Sequence, residues 1–200
     1  MRGIFYRSDT RDPDSGADLF TNGFDKRDAN FAAPQLRDLS GVGPLIAPDV
    51  DPHSAVCFTR DFLAAPIFPV SDLNCPSWVY VLDLDVDDVL NTQATQFNLM
   101  QASGRNTGGN GAGALWPMFG QERCCDAIAN TDIVGALRVS RAFLGGFAQG
   151  GSFVCSVYRA NPNYAGGQAA SVRAVMESYI DGSSHNTPTQ AQGLVQSTQT

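Results

Sequence analysis

The stretch Trp78–Leu84, WVYVLDL, constrains this chain more than any other. Aromatic, β-branched and aliphatic side chains with no glycine or proline predict a strand. Asp85, Asp87 and Asp88 predict its end, with Asp85 to Leu90 opening a short helix. Similar composition recurs at Ile4–Arg7 (IFYR), Ser54–Arg60 (SAVCFTR), Glu122–Ala127, Ile133–Val139 (IVGALRV) and Phe153–Arg159 (FVCSVYR). Helical patterns are few. Leu19-Phe20 ahead of Gly23-Phe24 reads as a short helix stopped by a glycine cap. Residues 168–180 read as an amphipathic helix, with Val172, Val175, Met176 and Tyr179 at helical spacing. Asp25–Pro52 is rich in Pro, Asp and Gly and reads as a long irregular excursion, and Ala102–Ala114 (ASGRNTGGNGAGA) as a flexible segment. Short strands, few helices and long loops predict an α+β fold rather than repeated βαβ units. Residues 1–180 form one predicted domain, and the Ser/Thr/Gln-rich residues 181–200 a disordered tail.

Charge and composition exclude several classes. The chain has 200 residues, enough for one domain to bury a core without metals or disulfides. Net charge is −7; of the 20 acidic residues only Glu122 and Glu177 are glutamates, which leaves 18 aspartates. An acidic surface repels phosphate backbones, which argues against nonspecific nucleic-acid binding. No run approaches the roughly 18 apolar residues of a membrane span. The first twenty residues carry Arg2, Arg7, Asp9 and Arg11 and lack the apolar core of a secretory signal. Lys26 is the only lysine among 13 basic residues. A GC-rich genome that encodes arginine instead would explain this. So would avoidance of lysine ubiquitination inside a eukaryotic host. Five cysteines, 57, 75, 124, 125 and 155, with no C-x-x-C, read as buried thiols and not as a disulfide framework or a zinc site.

Three familiar motifs fail on inspection. RNTGGNGAG lacks the Lys-Ser/Thr that follows a phosphate loop. DLDVDD has no glycine or bidentate glutamate at calcium-loop offsets, so Asp83 and Asp85 read as a solvated strand end. No G-x-S-x-G elbow exists for a serine nucleophile, and the only histidines are His53 and His185.

One constellation survives. Tyr6-Arg7-Ser8-Asp9-Thr10-Arg11-Asp12-Pro13, then Leu19-Phe20 and Gly23-Phe24, resembles the first motif of the cholera/pertussis-type mono-ADP-ribosyltransferase toxins. That motif is an aromatic-Arg-x-Asp-x-Arg-x-Pro run, then an apolar pair and a Gly-Phe or Gly-Gly; here three residues near Ser15–Ala17 are extra. Ser54–Arg60 resembles the family's second motif, a strand ending in Ser-Thr-Ser, but has Phe58-Thr59-Arg60 at its end. Met118–Ile128 leading to Asp132-Ile133-Val134-Gly135 resembles the third, which carries the catalytic glutamate. It departs in having Gly120 where the family has Glu or Gln, and in a Glu122-to-Ile128 spacing one residue short. The resemblance covers about residues 4–140. It implies two small, roughly perpendicular sheets around an NAD+ cleft.

The chemistry implied is cleavage of the N-glycosidic bond of NAD+ through an oxocarbenium-like ribosyl cation. Nicotinamide leaves neutral, so no general acid is needed, and no metal is expected. Glu122 is expected to hydrogen-bond the ribose and stabilise the developing charge. Thr59 is expected to orient that carboxylate, and Arg7 to hold the anionic part of NAD+ through a bidentate fork. Ser8, Asp9, Arg60 and Phe62 complete the expected NAD+ contacts, with Phe62 or Phe68 stacking on nicotinamide. Gly120 disfavours an arginine acceptor. Residues Gly104–Phe119, with Trp116 either in the core or at a surface, are the expected contact to a host target protein. The protein is expected to be a monomer acting as a secreted or injected effector in the host cytoplasm. An NAD+ glycohydrolase, or a non-catalytic binding module on the same fold, are the alternatives.

Overall fold

The structure is a computed structural model that describes residues 2–15, 18–25, 56–67, 77–85, 90–91, 123–125, 127–144 and 151–186. Expectations for the long excursion, the Gly-rich stretch, Gly104–Phe119, Phe68 and Glu122 lie outside the described residues. In chain order the elements are β1 (Arg2–Asp9), α1 (Leu19–Asn22), β2 (Phe24–Asp25), β3 (Val56–Phe58), β4 (Ser77–Asp85) and β5 (Leu90–Asn91). There follow β6 (Arg123–Cys125), β7 (Ala127–Ile128), β8 (Ile133–Leu144), β9 (Gly151–Ala160), α2 (Ala169–Ser178) and β10 (His185–Asn186). A five-stranded sheet runs β1-β4-β8-β9-β10, antiparallel throughout. Two smaller pieces join β2 to β7 and order β3-β6-β5. The described residues thus form three sheets where two were expected.

β4 organises the molecule. Its residues alternate between two cores, as strand geometry requires. Trp78, Tyr80, Leu82 and Leu84 face one side with Phe5 and Ala136, against Leu19, Phe20, Phe24, Phe58 and Ile128. Val79 and Val81 face the other side with Val134, Leu137, Val139 and Phe153, against Phe62, Ala65, Val172 and Met176. Each such side chain taken out of water contributes about 1.5–3 kcal/mol, so a strand buried on both faces holds the sheet at its centre.

Four expectations need correction. Asp83 is not at a solvated strand end but is 2 % exposed. Arg2 Nε donates to its Oδ1 at 3.0 Å and the Tyr164 hydroxyl donates to its Oδ2 at 2.5 Å, while Arg2 also reaches Asp132. A buried carboxylate is tolerable because it is paired and hydrogen-bonded on both oxygens. Val175 is 50 % exposed, so α2 buries only Val172 and Met176, one helical turn apart. Asp85 closes β4 and Leu90–Asn91 pair with Cys124 and Arg123 as a strand, where a helix was expected. The tail does not begin at residue 181: His185 and Asn186 pair with Phe153 and Ser152, and the His185 ring packs 5.4 Å from Phe153. Residues 187–200 lie outside the described residues. Among the described residues, no helix is long and apolar enough to cross a membrane.

Candidate active site

Arg7 stands near the end of β1, opposite Tyr80. Its guanidinium carbon lies 5.2 Å from the centroid of the Phe24 ring, and that of Arg11 lies 5.5 Å from the same ring. Both contacts are cation–π arrangements that fix where the charge sits. Asp9 lies between the two arginines. Arg11 donates to it from its backbone N at 2.9 Å, from Nε at 2.9 Å and from Nη2 at 2.8 Å, and Arg7 Nε is 4.0 Å away. Burial alone would raise the Asp9 carboxyl, but the hydrogen bonds and charge of Arg11, with the charge of Arg7, hold it below the usual carboxylate range. The Tyr80 hydroxyl donates to Arg11 O at 2.7 Å, which anchors this turn to the central strand.

Local chemistry explains why Phe24 is there to receive the arginines. Asp18 caps α1, accepting from Phe20 N at 2.8 Å and from the Thr21 hydroxyl at 2.7 Å. Four residues later the chain leaves the helix through Gly23 at φ 72°, and Phe24 pairs at once with Ile128. A Cβ on Gly23 would stand 2.2 Å from Ile128 O and 2.9 Å from Asn130 N, both backbone atoms. The glycine is needed for its conformation and for the close approach.

Thr59 arrives from a different strand. It follows β3 and bonds to the outer edge of β1: Tyr6 N donates to Thr59 O at 2.7 Å and Thr59 N to Tyr6 O at 2.9 Å. The strand bearing Arg7 and the segment bearing Thr59 are therefore neighbours, as the expected site requires. Thr59 is 2 % exposed, and its hydroxyl oxygen accepts from Asp61 N at 3.0 Å. The Asp61 carboxylate accepts from Leu63 N at 2.9 Å, and burial raises its pKa above the usual range. Arg60 is exposed, its guanidinium 5.2 Å from the Phe5 ring. The Ser8 hydroxyl oxygen is buried and has no hydrogen-bond partner among the described residues.

Phe62 does not match its expected role. It is 5 % exposed, with Tyr179 at 4.3 Å, Tyr6 at 5.5 Å and Phe153 at 6.0 Å between ring centroids. Protein rings surround it, so it serves as core and anchors the turn after Thr59. Glu122 lies outside the described residues. Its chain neighbour Arg123 pairs with Phe58, Cys124 with Cys57 and Cys125 with Val56.

The sequence reading missed a supporting loop. Asn161 is 7 % exposed and donates from Nδ2 to Asn130 O and Ile133 O, both at 2.7 Å. Asn163 Nδ2 donates to Phe20 O at 2.8 Å, which holds α1 and thereby the Phe24 ring under Arg7. The signal was Asn161-Pro162-Asn163 directly after a strand, a turn composition that was passed over.

No family model matches the chain, and no curated protein matches it either. Solved structures do. Full-length CARDS toxin superposes with a TM-score of 0.52 at 17 % identity, over 81 % of this chain and 29 % of the toxin. Nicked CARDS toxin gives 0.51 at 16 % identity, over 82 % of this chain and 31 % of that one. EcPltA gives 0.49 at 15 % identity, over 82 % and 88 %. This chain spans about three tenths of the CARDS toxin's length, and at these identities the likeness is one of fold.

Proposed function

We propose that this chain is an NAD+-dependent mono-ADP-ribosyltransferase of toxin or effector type. The observation that carries the proposal is a register. β3 and β6 pair as Val56–Cys125, Cys57–Cys124 and Phe58–Arg123, and one further rung would set Glu122 opposite Thr59. Thr59 in turn bonds to Tyr6, the residue before Arg7. Arg7 and Thr59, named from separate motifs, thus lie on neighbouring segments, and β6, which pairs with β3, starts at the residue after Glu122.

In this reading Arg7, steadied by Phe24 and Asp9, holds the NAD+ phosphates in bidentate geometry. The Ser8 hydroxyl, without a partner among the described residues, and the backbone beside it offer partners for polar ligand groups, since a buried hydroxyl without one is costly. Glu122 binds the ribose 2′-hydroxyl and stabilises the ribosyl cation as neutral nicotinamide leaves. The Thr59 hydroxyl, whose oxygen accepts from Asp61 N, orients that carboxylate. Arg60 lines the approach, and Phe62 acts only through the turn it anchors. The acceptor is a host protein side chain other than arginine, given Gly120, and the segment Gly104–Phe119 selects the target. No metal takes part. The toxin-like neighbours fit a secreted or injected protein that acts in host cytoplasm.

The test is incubation with NAD+ labelled on its adenylate half, in a host-cell lysate, following protein label and free nicotinamide together. Labelled protein that is lost in Glu122→Ala supports transfer. Nicotinamide release without labelled protein would replace transfer by hydrolysis. Neither signal, with no thermal shift on adding NAD+, would leave a non-catalytic binding module.

A further inference from the structure

We propose that Cys57 and Cys124 form a cross-strand dithiol that closes to a disulfide under oxidising conditions, a modification site two rungs from a candidate catalytic rung. The bond itself is independent of the proposed function; its consequence for the Thr59–Glu122 rung rests on that reading.

Placement carries the inference. Cys57 on β3 and Cys124 on β6 are Cα partners in an antiparallel ladder. Directly opposed residues in such a ladder have Cα atoms about 4.5–5.5 Å apart, inside the roughly 4.4–6.8 Å a disulfide spans. In such ladders the Cβ atoms of opposed residues are about 4.5–5.5 Å apart and a disulfide takes roughly 3.5–4.5 Å, so a slight closing of the strands suffices. The next positions along, Val56 and Phe58, belong to the buried core with Cys125 packed against them. Strand alternation therefore puts positions 57 and 124 on the opposite face of the ladder, the face that carries position 59.

The other cysteines in described segments are placed elsewhere. The Cys125 thiol donates to Ala127 O at 3.3 Å, and its rung partner is Val56. Cys155 belongs to β9 and to the other core, where burial, with the charge of Asp181, pushes its thiol up to about 12 and leaves it a poor participant in exchange.

The step balances with a low-molecular-weight disulfide of the oxidised-glutathione class as oxidant. One cysteine thiolate attacks it, forming a mixed disulfide and releasing one thiol; the second cysteine thiolate displaces the other. Two protein thiols are oxidised, the reagent is reduced to two thiols, and the two protons pass to solvent and the released thiolates. Closure fixes β3 against β6, the two strands that lead to Thr59 and Glu122, and a reducing compartment reopens it.

The full chain equilibrated with oxidised and reduced glutathione, then quenched by alkylation, tests this by mass. The expected product is lighter by two hydrogens, and cleavage after arginine links the peptide Asp38–Arg60 to the peptide Cys124–Arg138. The link should persist in Cys125→Ser and Cys155→Ser and vanish in Cys57→Ser and Cys124→Ser. Should a serine variant at 57 or 124 fail to fold, the mapping of wild type and Cys125→Ser decides alone. Glutathione adducts without an internal link, a link confined to Cys124–Cys125, or a link that survives Cys57→Ser would overturn the proposal. The readout does not depend on NAD+, so an inactive protein with this bond refutes the proposed function and not the dithiol.

Discussion

At Asp9, burial and ion pairing pull in opposite directions, and pairing wins. Its carboxyl titrates below the usual value, so its stabilising contribution is present above the unfolded value near pH 4 and lost as pH falls through the folded one. Arg11→Gln removes the two bonds that the Arg11 side chain donates to Asp9 while leaving the backbone bond from residue 11. Because Arg11 is partly exposed, the loss at neutral pH is about 1 kcal/mol. The difference in thermal midpoint between wild type and Arg11→Gln should be largest near pH 7 and close below about pH 4, where Asp9 is neutral in both. A difference independent of pH would show that Arg11 acts through packing on Phe24 alone. The nearness of the Arg7 strand to the Thr59 segment was legible because motif spacing marked both residues. The burial of Asp83 was not, because its partners Arg2 and Tyr164 each lie 81 positions away.

At the scale of elements, legibility followed length. β4, β8 and β9 carry enough apolar residues to declare themselves, and the structure extends β8 and β9 beyond the expected ends. The pairs β2–β7 and β10–β9 are two residues long on one or both sides, too short for any period to register, and only tertiary partners define them. The helix α1 is only four residues long, bracketed by Asp18 and Gly23, yet was readable from Leu19-Phe20 and the glycine stop alone. That bracket is also the most fragile joint near the site. Gly23→Ala should cost at least about 3 kcal/mol, from the positive φ and from backbone atoms that cannot move aside. For a domain of this size the thermal midpoint should fall by roughly 6–12 °C. Wild-type stability in Gly23→Ala would mean that the α1–β2 junction is arranged differently.

Over the whole molecule, the α+β class followed from many short strands and few helices, while the antiparallel pairing and the division of the described residues into three sheets did not. Sheet membership depends on which edges meet, and the junction of β3 with β1 is a single bridge at Tyr6 and Thr59. That bridge is nonetheless what joins the candidate site. The central claim is that Arg7, Thr59 and Glu122 act together on NAD+, and it is tested most directly by nicotinamide release from NAD+ in wild type and Glu122→Gln, with NAD+ binding measured in parallel. The account predicts release that falls by about 10²–10³-fold in Glu122→Gln while NAD+ binding persists. Equal release from both proteins, or neither release nor binding in wild type, would contradict it.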